Sequence, residues 1–442
     1  MARRRKHAPL DVLINGRVVG RLSKQSDGAT SFEYDQSWLE WEPAFAISLS
    51  LPMTETPYKG ERVTAVFDNL LPDNPDIRRQ IAERTGAAGA DAYSLLEEIG
   101  RDCIGAMQFL HPEDDHDPAR SLEGEELSEE DIEQLLAGLA RKPLGMDRDE
   151  DFRISVAGAQ EKTALLLREG KWIRPGGTTP TTHLLKPQLG EIPTASGIIG
   201  MNASVDNEHY CLTLLEEFGL NVAETSIETF GERRVLVVKR FDRRWRKDDS
   251  LLRLPQEDSC QALGILPPRK YQNDGGPSAV DILKLLQRAD SPLEDQQDFL
   301  TSLILFWLIG ATDGHGKNFS IFLRPNGRYG LTPLYDVLTA QPAYDLHQIP
   351  KNRYKLAMSA GKKPHYKINE VAGRHFVETA QKAGMGTAMI LGAIHNILEQ
   401  AETAPQKALE KMPADFETGI HESVMAAIKR HLSLLEAGLR EL

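Results

Sequence analysis

The strongest constraint on the fold of this chain is its longest apolar run, Leu303–Ala311, which leads directly into the segment GATDGHGKNFSIF at residues 310–322. The run is about half as long as a helix that spans a bilayer, so it predicts a buried helix of a globular domain. Charged side chains at the end of such a helix are costly unless they are solvated or have partners. The segment therefore indicates either a solvated loop or a site that handles phosphate and metal.

Length and charge limit the function classes. The 442 residues suggest two or three domains, and the charged fraction of 26% is typical of a globular protein. A net charge of −13 argues against a surface coated with basic residues for nucleic acid. Two basic clusters, Arg3–Lys6 and Lys239–Lys247, leave local phosphate contacts open, with solvated charge as the alternative for each.

The N-terminal sequence and the cysteines favour a reducing compartment. The first residues are charged, but no apolar core of a secretory signal follows them, so we expect a cytoplasmic protein without a membrane span. The three cysteines are odd in number and widely spaced, which predicts neither a disulfide framework nor a metal knuckle. We expect them to be reduced and at least half-buried.

Turn signals and shifts in composition divide the chain. Asn15-Gly16 between alternating apolar residues predicts a β-hairpin near the N-terminus. An acidic stretch poor in large apolar residues marks a boundary, and helical patterns dominate after residue 278. The predicted segments are an α+β subdomain at 1–112, an acidic linker with a short helix at 113–150, a strand-rich region at 151–245 and a largely helical region at 246–442.

A second hairpin, turning at Asn326-Gly327, predicts the geometry of the charged loop. Residues equidistant from a two-residue turn face one another in antiparallel strands, which places Asn318 opposite Tyr335 and next to Asp336, within one residue of register. Amide and carboxylate oxygens so placed would share one hard cation. Asp313 precedes Asn318 by five residues, a spacing typical of the catalytic loop of protein kinases. Local capping and turn roles remain the alternative for each residue.

The upstream half supplies candidates for binding a nucleotide. The small-residue turn Ser155–Thr163 suits backbone contacts with phosphates, or is a plain turn. Lys186 ends a strand-like run, where its ammonium would meet phosphates or extend into solvent. Glu208 lies at the end of the apolar stripe of a helix near 204–218 and needs a partner there, which Lys186 would provide. The run Val235–Phe241 fits a last strand that leads into an interlobe linker beside the adenine.

Several segments together resemble the HipA family of serine/threonine kinase toxins over essentially the whole chain. They include FDNLLPD, LLEEIGRDCIGA, DFRISVAGAQEKTALL, TTHLLK, SVDNEHYCL, KRFDRRW, LPQEDSCQALG, LIGATDGHGKNFS and LTPLYDV. The resemblance implies an α+β, protein-kinase-like bilobal fold with an added N-terminal α/β subdomain and a mostly helical C-terminal lobe. Regions 151–245 and 246–442 would then be the N-lobe with the ATP loop and the C-lobe with the catalytic and metal loops.

The resemblance also implies roles for particular residues, with ATP and Mg²⁺ as cosubstrates. Asp313 becomes the catalytic base and Ser155 a site of autophosphorylation that ejects its loop. The implied binding roles fall to the ATP loop, the linker and the catalytic loop: Val156, Ala157, Gly158, Ala159, Lys186, Lys239, Phe241, His315, Lys317 and Asn318, with Asn318 and Asp336 as Mg²⁺ ligands. Lys239 departs from the acidic residue expected at the linker, and His315 and Lys317 suit packing and solvation equally well.

The partners follow from the resemblance alone. It implies a HipB-like dimeric helix-turn-helix antitoxin, operator DNA bound within that complex, and an aminoacyl-tRNA synthetase for glutamate as the protein substrate. Two other readings stay open from the residues themselves. One is a catalytically silent corepressor that binds the antitoxin, and the other is a kinase for a small metabolite.

Overall fold

The computed structural model describes residues 7–114, 122–146, 154–158, 160–194 and 197–439. The chain forms two compact units: unit 1 comprises Met1–Pro187, Glu228–Pro268 and Ile321–Tyr329, and unit 2 comprises Gln188–Ile227, Arg269–Ser320 and Gly330–Leu442. These units do not coincide with the four predicted segments, whose boundaries stay a prediction. The basic cluster Arg3–Lys6 and Ala159 lie outside the described residues.

Strands occur in both units. In chain order they are β1 Leu10–Ile14, β2 Arg17–Lys24, β3 Thr30–Tyr34, β4 Tyr58–Lys59, β5 Met107–Leu110, β6 Gly124–Glu126, β7 Thr163–Arg168, β8 Lys171–Pro175, β9 His183–Pro187, β10 Gly190–Thr194, β11 Gly197–Met201, β12 Thr225–Phe230, β13 Arg233–Lys239, β14 Arg243–Trp245, β15 Leu251–Arg253, β16 Gln256–Asp258, β17 Ser320–Arg324, β18 Arg328–Leu331, β19 Lys355–Ala360 and β20 His365–Lys367.

The helices follow the same order. They are α1 Gln36–Leu39, α2 Glu61–Asp68, α3 Pro75–Thr85, α4 Ala92–Ile99, α5 Glu129–Gly138, α6 Ser204–Glu217, α7 Ser259–Leu263, α8 Ala279–Leu286, α9 Pro292–Ile309, α10 Gln341–Asp345, α11 Gly373–Lys382, α12 Thr387–Gln400, α13 Ala404–Glu410 and α14 Thr418–Leu439. None of the helices in the described ranges is both long and apolar enough to cross a bilayer.

Unit 1 contains an N-terminal antiparallel sheet with the strand order β4-β3-β2-β1-β5. Its first hairpin is the one predicted at Asn15-Gly16, because Ile14 lies opposite Arg17 across the turn. Asn15 and Gly16 have φ values of 48° and 80°, the left-handed conformations that a two-residue hairpin turn requires. That prediction is confirmed.

A second sheet of unit 1 has the order β12-β13-β9-β7-β8-β6. Helix α5 begins with a capping box between Ser128 and Asp131, which satisfies two exposed N–H groups at the helix start. The helix contributes Ile132 and Leu136 to an apolar cluster with Leu165 and other buried residues of the sheet. Burial of this face fixes the helix on the sheet.

Unit 2 is mostly helical and is organised around α9. Proline at the first turn and the acidic residues Glu294 and Asp295 favour helix initiation, and the second half of the helix is buried on all sides. The indole of Trp307 donates a hydrogen bond to the carbonyl of Ile368 and stacks on the ring of His431 at 4.9 Å. The predicted buried helix is therefore confirmed.

The three cysteines behave as the sequence predicts. Cys103, Cys211 and Cys260 are all free and buried. Burial raises the pKa of Cys103 and of Cys211 to about 12 in each case, so neither thiol is ionised at neutral pH. They contribute to packing rather than to reactivity.

Candidate active site

The charged loop after α9 is held close to the helix by two glycines. Gly310 ends α9 in the left-handed conformation, at φ 71°, and a Cβ there would lie 2.0 Å from the hydroxyl oxygen of Tyr354. A Cβ on Gly314 would lie 2.6 Å from the ring of Phe306. The loop can take this path only with glycine at both positions, which explains the spacing of glycines around the charged residues.

Asp313 lies at the exposed tip of this loop. Its carboxylate oxygen Oδ1 accepts a hydrogen bond of 2.5 Å from the hydroxyl of Tyr271. The ring of Tyr271 meets the ring of His315 edge to face, with 4.9 Å between the ring centroids. His315, in the same loop, is buried. The predicted catalytic base is therefore accessible, and its orientation depends on a tyrosine from another segment.

The predicted proximity of Asn318 and Asp336 is confirmed. The Asn318 amide Nδ2 donates to Asp336 Oδ2 at 3.2 Å. The hairpin register differs by one residue from the two-residue turn, because the Thr332 N–H donates to the Ser320 carbonyl at 3.0 Å. The loop has three residues, with a short 3-10 turn at Pro325–Gly327, and this lengthening moves each pair by one position.

Tyrosine and backbone contacts hold the two members of this pair in place. The Tyr335 hydroxyl donates to the carbonyl of Lys317 at 2.7 Å and lies 2.6 Å from the hydroxyl of Ser320. Asp336 has a φ of 60°, an uncommon conformation for a residue with a side chain that often marks functional sites. Asn318 is 4% exposed, and its Oδ1 accepts the His315 N–H at 3.3 Å.

Helix α6 is tied to the segment that follows Asp336. The Asn207 amide donates to the Thr339 carbonyl at 2.9 Å and accepts from the Thr339 N–H at 2.8 Å. The Thr339 hydroxyl donates to the carbonyl of Ile309 at the end of α9. Glu208, the next residue on α6, is 2% exposed. The helix, the charged loop and Asp336 therefore form one framework within unit 2.

The donors at Asn318 and Asp336 suit a hard divalent cation. The Asn318 amide turns its nitrogen to Asp336 and its oxygen to the His315 N–H, so the amide must rotate to offer its oxygen. One carboxylate and one amide then supply oxygen ligands, and Mg²⁺ in phosphoryl-transfer sites takes its remaining ligands from phosphates and water. A cage made wholly of protein would need more donors, and the described residues contain no group of three or more His, Cys, Asp or Glu side chains placed for a metal. The ligand set fits a metal that arrives with a nucleotide.

The small-residue turn lies in unit 1, where it pairs with the N-terminal subdomain. Ser155 is fully buried and its hydroxyl donates to the carbonyl of Leu70 at 2.8 Å. Gly158, at φ 114°, accepts a hydrogen bond at its carbonyl from the N–H of Asp73 at 3.2 Å. The Lys162 ammonium donates to the carbonyl of Ala157 at 2.6 Å. Hydrogen bonds from backbone and side-chain groups therefore hold this segment against the rest of unit 1.

Other residues that are predicted to contact the nucleotide also lie in unit 1. Val156 is 1% exposed and Lys186 is 5% exposed, with Lys186 on β9 opposite Leu236 of β13. Lys239 ends β13 and is exposed, while the ring of Phe241 packs edge to face on Phe322. The pairing of Lys186 with Glu208 and the binding roles of these side chains stay predictions.

The basic cluster Lys239–Lys247 differs from the solvated patch that the sequence suggested. Arg240 and Arg243 are 4% and 9% exposed and form ion pairs with Asp102 and Asp242. Arg253 donates to Asp102 Oδ1 at 3.0 Å. Arg240 and Arg243 are therefore neither solvated nor free to contact phosphate, and both predictions are wrong for these two residues.

The balance of charge in this buried cluster shifts the ionisation of its members. Burial alone would raise the pKa of Asp102, but the charges of Arg243, Arg240 and Arg253 outweigh burial and hold the pKa of that carboxyl below its usual range. Burial and the charge of Arg240 lower the pKa of Arg243 to about 10. Asp102 and Arg243 are therefore both charged at neutral pH.

Sequence reasoning missed Tyr271 and Asp102. Tyr271 precedes its partner Asp313 by 42 positions, and Asp102 precedes Arg253 by 151. No local pattern links residues so far apart. The glycine pair Gly275-Gly276 after Tyr271 was the one local signal, since it marks a tight turn in an otherwise polar stretch.

Two family profiles match the chain. One, described as the HipA N-terminal domain, matches residues 10–110, and the other, described as the HipA-like C-terminal domain, matches residues 154–407. The protein Y4mE of Sinorhizobium fredii is 33% identical over 406 residues, which cover 91% of this chain and 92% of that protein. The serine/threonine-protein kinase toxin HipA of Shewanella oneidensis is 25% identical over 98% of each chain.

A solved structure extends the likeness to the fold. A chain of the complex of Shewanella oneidensis HipA, HipB and operator DNA superimposes with a TM-score of 0.78, over 98% of this chain and 99% of that chain. The sequence identity in this match is 24%. The predicted fold class, α+β with a kinase-like core and an added N-terminal subdomain, is thereby confirmed.

Proposed function

The chain belongs to the HipA family, and from this premise we propose that it is a Mg²⁺-ATP-dependent protein serine/threonine kinase and the toxin of a toxin–antitoxin pair. The observation that carries the proposal is the arrangement of Asp313, Asn318 and Asp336 on one framework, with the Asn318 amide 3.2 Å from Asp336. A base placed beside a pair of oxygen donors is what phosphoryl transfer to a hydroxyl requires.

Each residue of the loop has a role in this proposal. Asp313 accepts the proton of the acceptor hydroxyl. Asn318 and Asp336 hold Mg²⁺, which when bound neutralises charge on the nucleotide phosphates. His315 orients the loop through its packing on Tyr271, and Lys317 contacts the γ-phosphate. The protein contributes mainly orientation and electrostatics, because the chemistry of phosphoryl transfer needs little more.

The nucleotide is held by residues of the strand-rich region. We propose that backbone groups of Val156–Ala159 contact the phosphates, that Lys186 neutralises them, and that Glu208 pairs with Lys186. Backbone groups of Lys239 and Phe241 meet the adenine. Lys186 and Glu208 are 5% and 2% exposed within their own units, and the pairing itself is proposed from the order of the strand and the helix in the sequence.

Ser155 is the proposed site of autophosphorylation. Its hydroxyl is buried against Leu70, so the segment must leave that position before phosphate can be added. A phosphate carries about −1.5 to −2 charges at neutral pH, which prevents the segment from returning to a buried position. Modification would therefore hold the ATP loop open and stop the enzyme.

The partners are proposed by analogy with the relatives. The Shewanella oneidensis complex contains HipA, HipB and operator DNA, and we propose a HipB-like antitoxin dimer that brings this chain to its own operator. An aminoacyl-tRNA synthetase for glutamate is the proposed protein substrate. Binding of the purified pair to operator DNA, and labelling of the purified synthetase, test these two proposals separately.

The first experiment is incubation of dephosphorylated protein with Mg²⁺-ATP, followed by intact-mass and peptide mass spectrometry. We expect one phosphate on Ser155, and none in Asp313→Ala or without Mg²⁺. Ser155→Ala is the matched control, because it should lose the self-label while it still labels an added protein substrate.

Other outcomes would redirect the proposal. Nucleotide binding by calorimetry without transfer to any protein would favour the silent corepressor. Transfer to a metabolite hydroxyl, with no label on protein, would favour the small-molecule kinase. Phosphate on Asp313→Ala at the wild-type rate would remove Asp313 from the mechanism.

A further inference from the structure

Tyr271 is fixed against the catalytic loop by contacts that do not involve its hydroxyl. The carbonyl of the preceding residue, Lys270, accepts a hydrogen bond of 3.1 Å from the N–H of Gly316. The Tyr271 ring stands perpendicular to the ring of His315, with an interplanar angle of 87°. A backbone bond and a ring contact therefore set the position of the phenol relative to the loop.

The turn that follows Tyr271 is equally constrained. The carbonyl of Tyr271 accepts hydrogen bonds from the N–H groups of Asp274 and Gly276, at 3.0 and 2.9 Å. A Cβ on Gly276 would lie 2.1 Å from the carbonyl oxygen of Arg269, so the turn closes only with glycine. The Gln272 side chain donates to the Ser359 hydroxyl at 2.9 Å and accepts from its N–H at 2.8 Å. The turn is thus anchored to β19.

The phenol reaches one oxygen of the proposed base and leaves the other exposed. Tyr271 donates to Asp313 Oδ1 at 2.5 Å. Within the part of the chain that the structure describes, Asp313 Oδ2 takes part in no hydrogen bond or ion pair. The carboxylate is therefore held at one oxygen and open at the other, which is the arrangement that a base needs if it must be oriented and still reach a substrate.

We propose that Tyr271 is a positioning residue that aims Asp313 Oδ2 at the acceptor hydroxyl. The inference rests on the proposed kinase function. In the reaction, the acceptor oxygen forms a bond to the γ-phosphorus, the bond from that phosphorus to the bridging oxygen of ADP breaks, and the acceptor proton passes to Asp313 Oδ2. The phenol keeps its own proton and remains bonded to Oδ1 throughout.

The alternative role for the phenol is to compete with the acceptor. A tyrosine that occupied the acceptor position would have to leave before each reaction, so its removal would help the substrate to bind. The anchored turn argues against such movement, because displacement of Tyr271 would also break the contacts at Gly316 and His315. The two roles predict opposite kinetic changes.

The test is Tyr271→Phe, which removes only the hydroxyl and retains the ring contact. Steady-state transfer of phosphate to a serine protein substrate is measured with varied ATP and varied acceptor. We expect kcat to fall about tenfold, since a misaligned catalytic group costs one to two orders of magnitude, while the KM for ATP stays unchanged. Tyr344→Phe is the matched control, because its hydroxyl accepts an exposed hydrogen bond of 2.9 Å from Asn369 in the same unit.

A fall in the acceptor KM with kcat retained would assign the competing role and overturn the inference. An unchanged kcat would overturn it as well. Crystal structures of the wild type and of Tyr271→Phe give a second test that does not depend on activity. We expect one orientation of the Asp313 carboxylate in the wild type and several orientations in the variant. The same single orientation in both would overturn the inference even in an active kinase, whereas a wild type that transfers no phosphate would overturn the proposed function.

Discussion

Two regions of this protein both contain aspartates, but the aspartates differ in burial and in hydrogen-bond partners. In unit 1, Asp102 and Asp242 are enclosed with three arginines, and each carboxylate contacts at least two guanidinium groups. In unit 2, the carboxylate of Asp313 is exposed and its hydrogen-bond donor is a neutral phenol. A carboxylate whose charge is fully compensated holds structure together, whereas one with an open oxygen is available for chemistry.

The two regions should also differ in how a substitution affects stability and activity. Removal of one partner from a buried ion cluster leaves a charge that has neither water nor counter-charge, so stability suffers. Removal of an exposed carboxylate leaves no such charge, so stability is retained and only its chemical role is lost. Four changes test this separation, and two of them alter a charge that belongs to neither region.

The largest effect is expected from Asp313→Asn. The rate of phosphate transfer should fall about 10³- to 10⁴-fold, which is within the range for loss of a general base, because the amide cannot accept the proton. The melting temperature should remain within a degree or two. A calorimetric scan beside a kinase assay measures both, and a large loss of stability would contradict the view that Asp313 is structurally dispensable.

Asp102→Asn should have the reverse profile. Arg240 and Arg243 would keep Asp242 as a partner, but the buried Arg253 would lose its carboxylate. We therefore expect a loss of about 3–5 kcal/mol in the free energy of unfolding. Urea unfolding is the measurement. Glu126→Gln is the control in the same unit, since the side chains of Glu126 and its partner Lys171 are each 59% exposed and an ion pair so exposed to water contributes little to stability. Equal losses in the two variants would refute the comparison.

Glu257 is a third kind of carboxylate, buried with no ion-pair partner in the described part of the chain, and it predicts a pH effect. Its side chain accepts a hydrogen bond from the N–H of Leu49, and burial raises its pKa from 4.5 to about 8. The folded state therefore binds this proton more tightly than the unfolded state does. The resulting stabilisation is fully present below pH 4.5 and is lost as the pH rises through 8.

Glu257→Gln removes this dependence. Between about pH 5 and pH 7.5 the wild type should lose on the order of 3 kcal/mol relative to the variant. Urea unfolding of both proteins at several pH values measures the difference. Parallel stability curves would show that Glu257 is ionised in the folded protein and that its burial is compensated.

The smallest effect is expected at Lys411, which forms ion pairs with Glu216 and Glu217 at the surface. The Lys411 ammonium lies 3.0 Å from one carboxylate and 2.6 Å from the other, and its side chain is 50% exposed. Lys411→Ala should therefore cost less than about 1 kcal/mol, and the difference should shrink in high salt. Thermal unfolding at two salt concentrations is sufficient, and a salt-independent loss would point to packing of the lysine stem instead.

Local rules predicted the parts of the site that are close in sequence. The hairpin at Asn326-Gly327 placed Asn318 beside Asp336 correctly, because register follows from the turn, and its error of one residue came from the extra position in the loop. The contacts of Tyr271 with Asp313 and of Asp102 with Arg253 could not be found in this way, because they join distant segments through tertiary packing. Burial of Arg240 and Arg243 was missed for the same reason, since a run of basic letters does not reveal its counter-charges.

If the proposed self-modification occurs, the hydrogen bond between Ser155 and the Leu70 carbonyl helps to set how long each enzyme molecule stays active. Each departure of the segment gives one chance of silencing, so the working life of an enzyme molecule is set by how often this bond opens. The average number of substrate molecules modified in that life is then the turnover rate divided by the silencing rate, which is the opening rate multiplied by the probability of self-modification at each opening. A change on the Leu70 side that loosens the contact would shorten the active period and leave the chemistry of each turnover untouched.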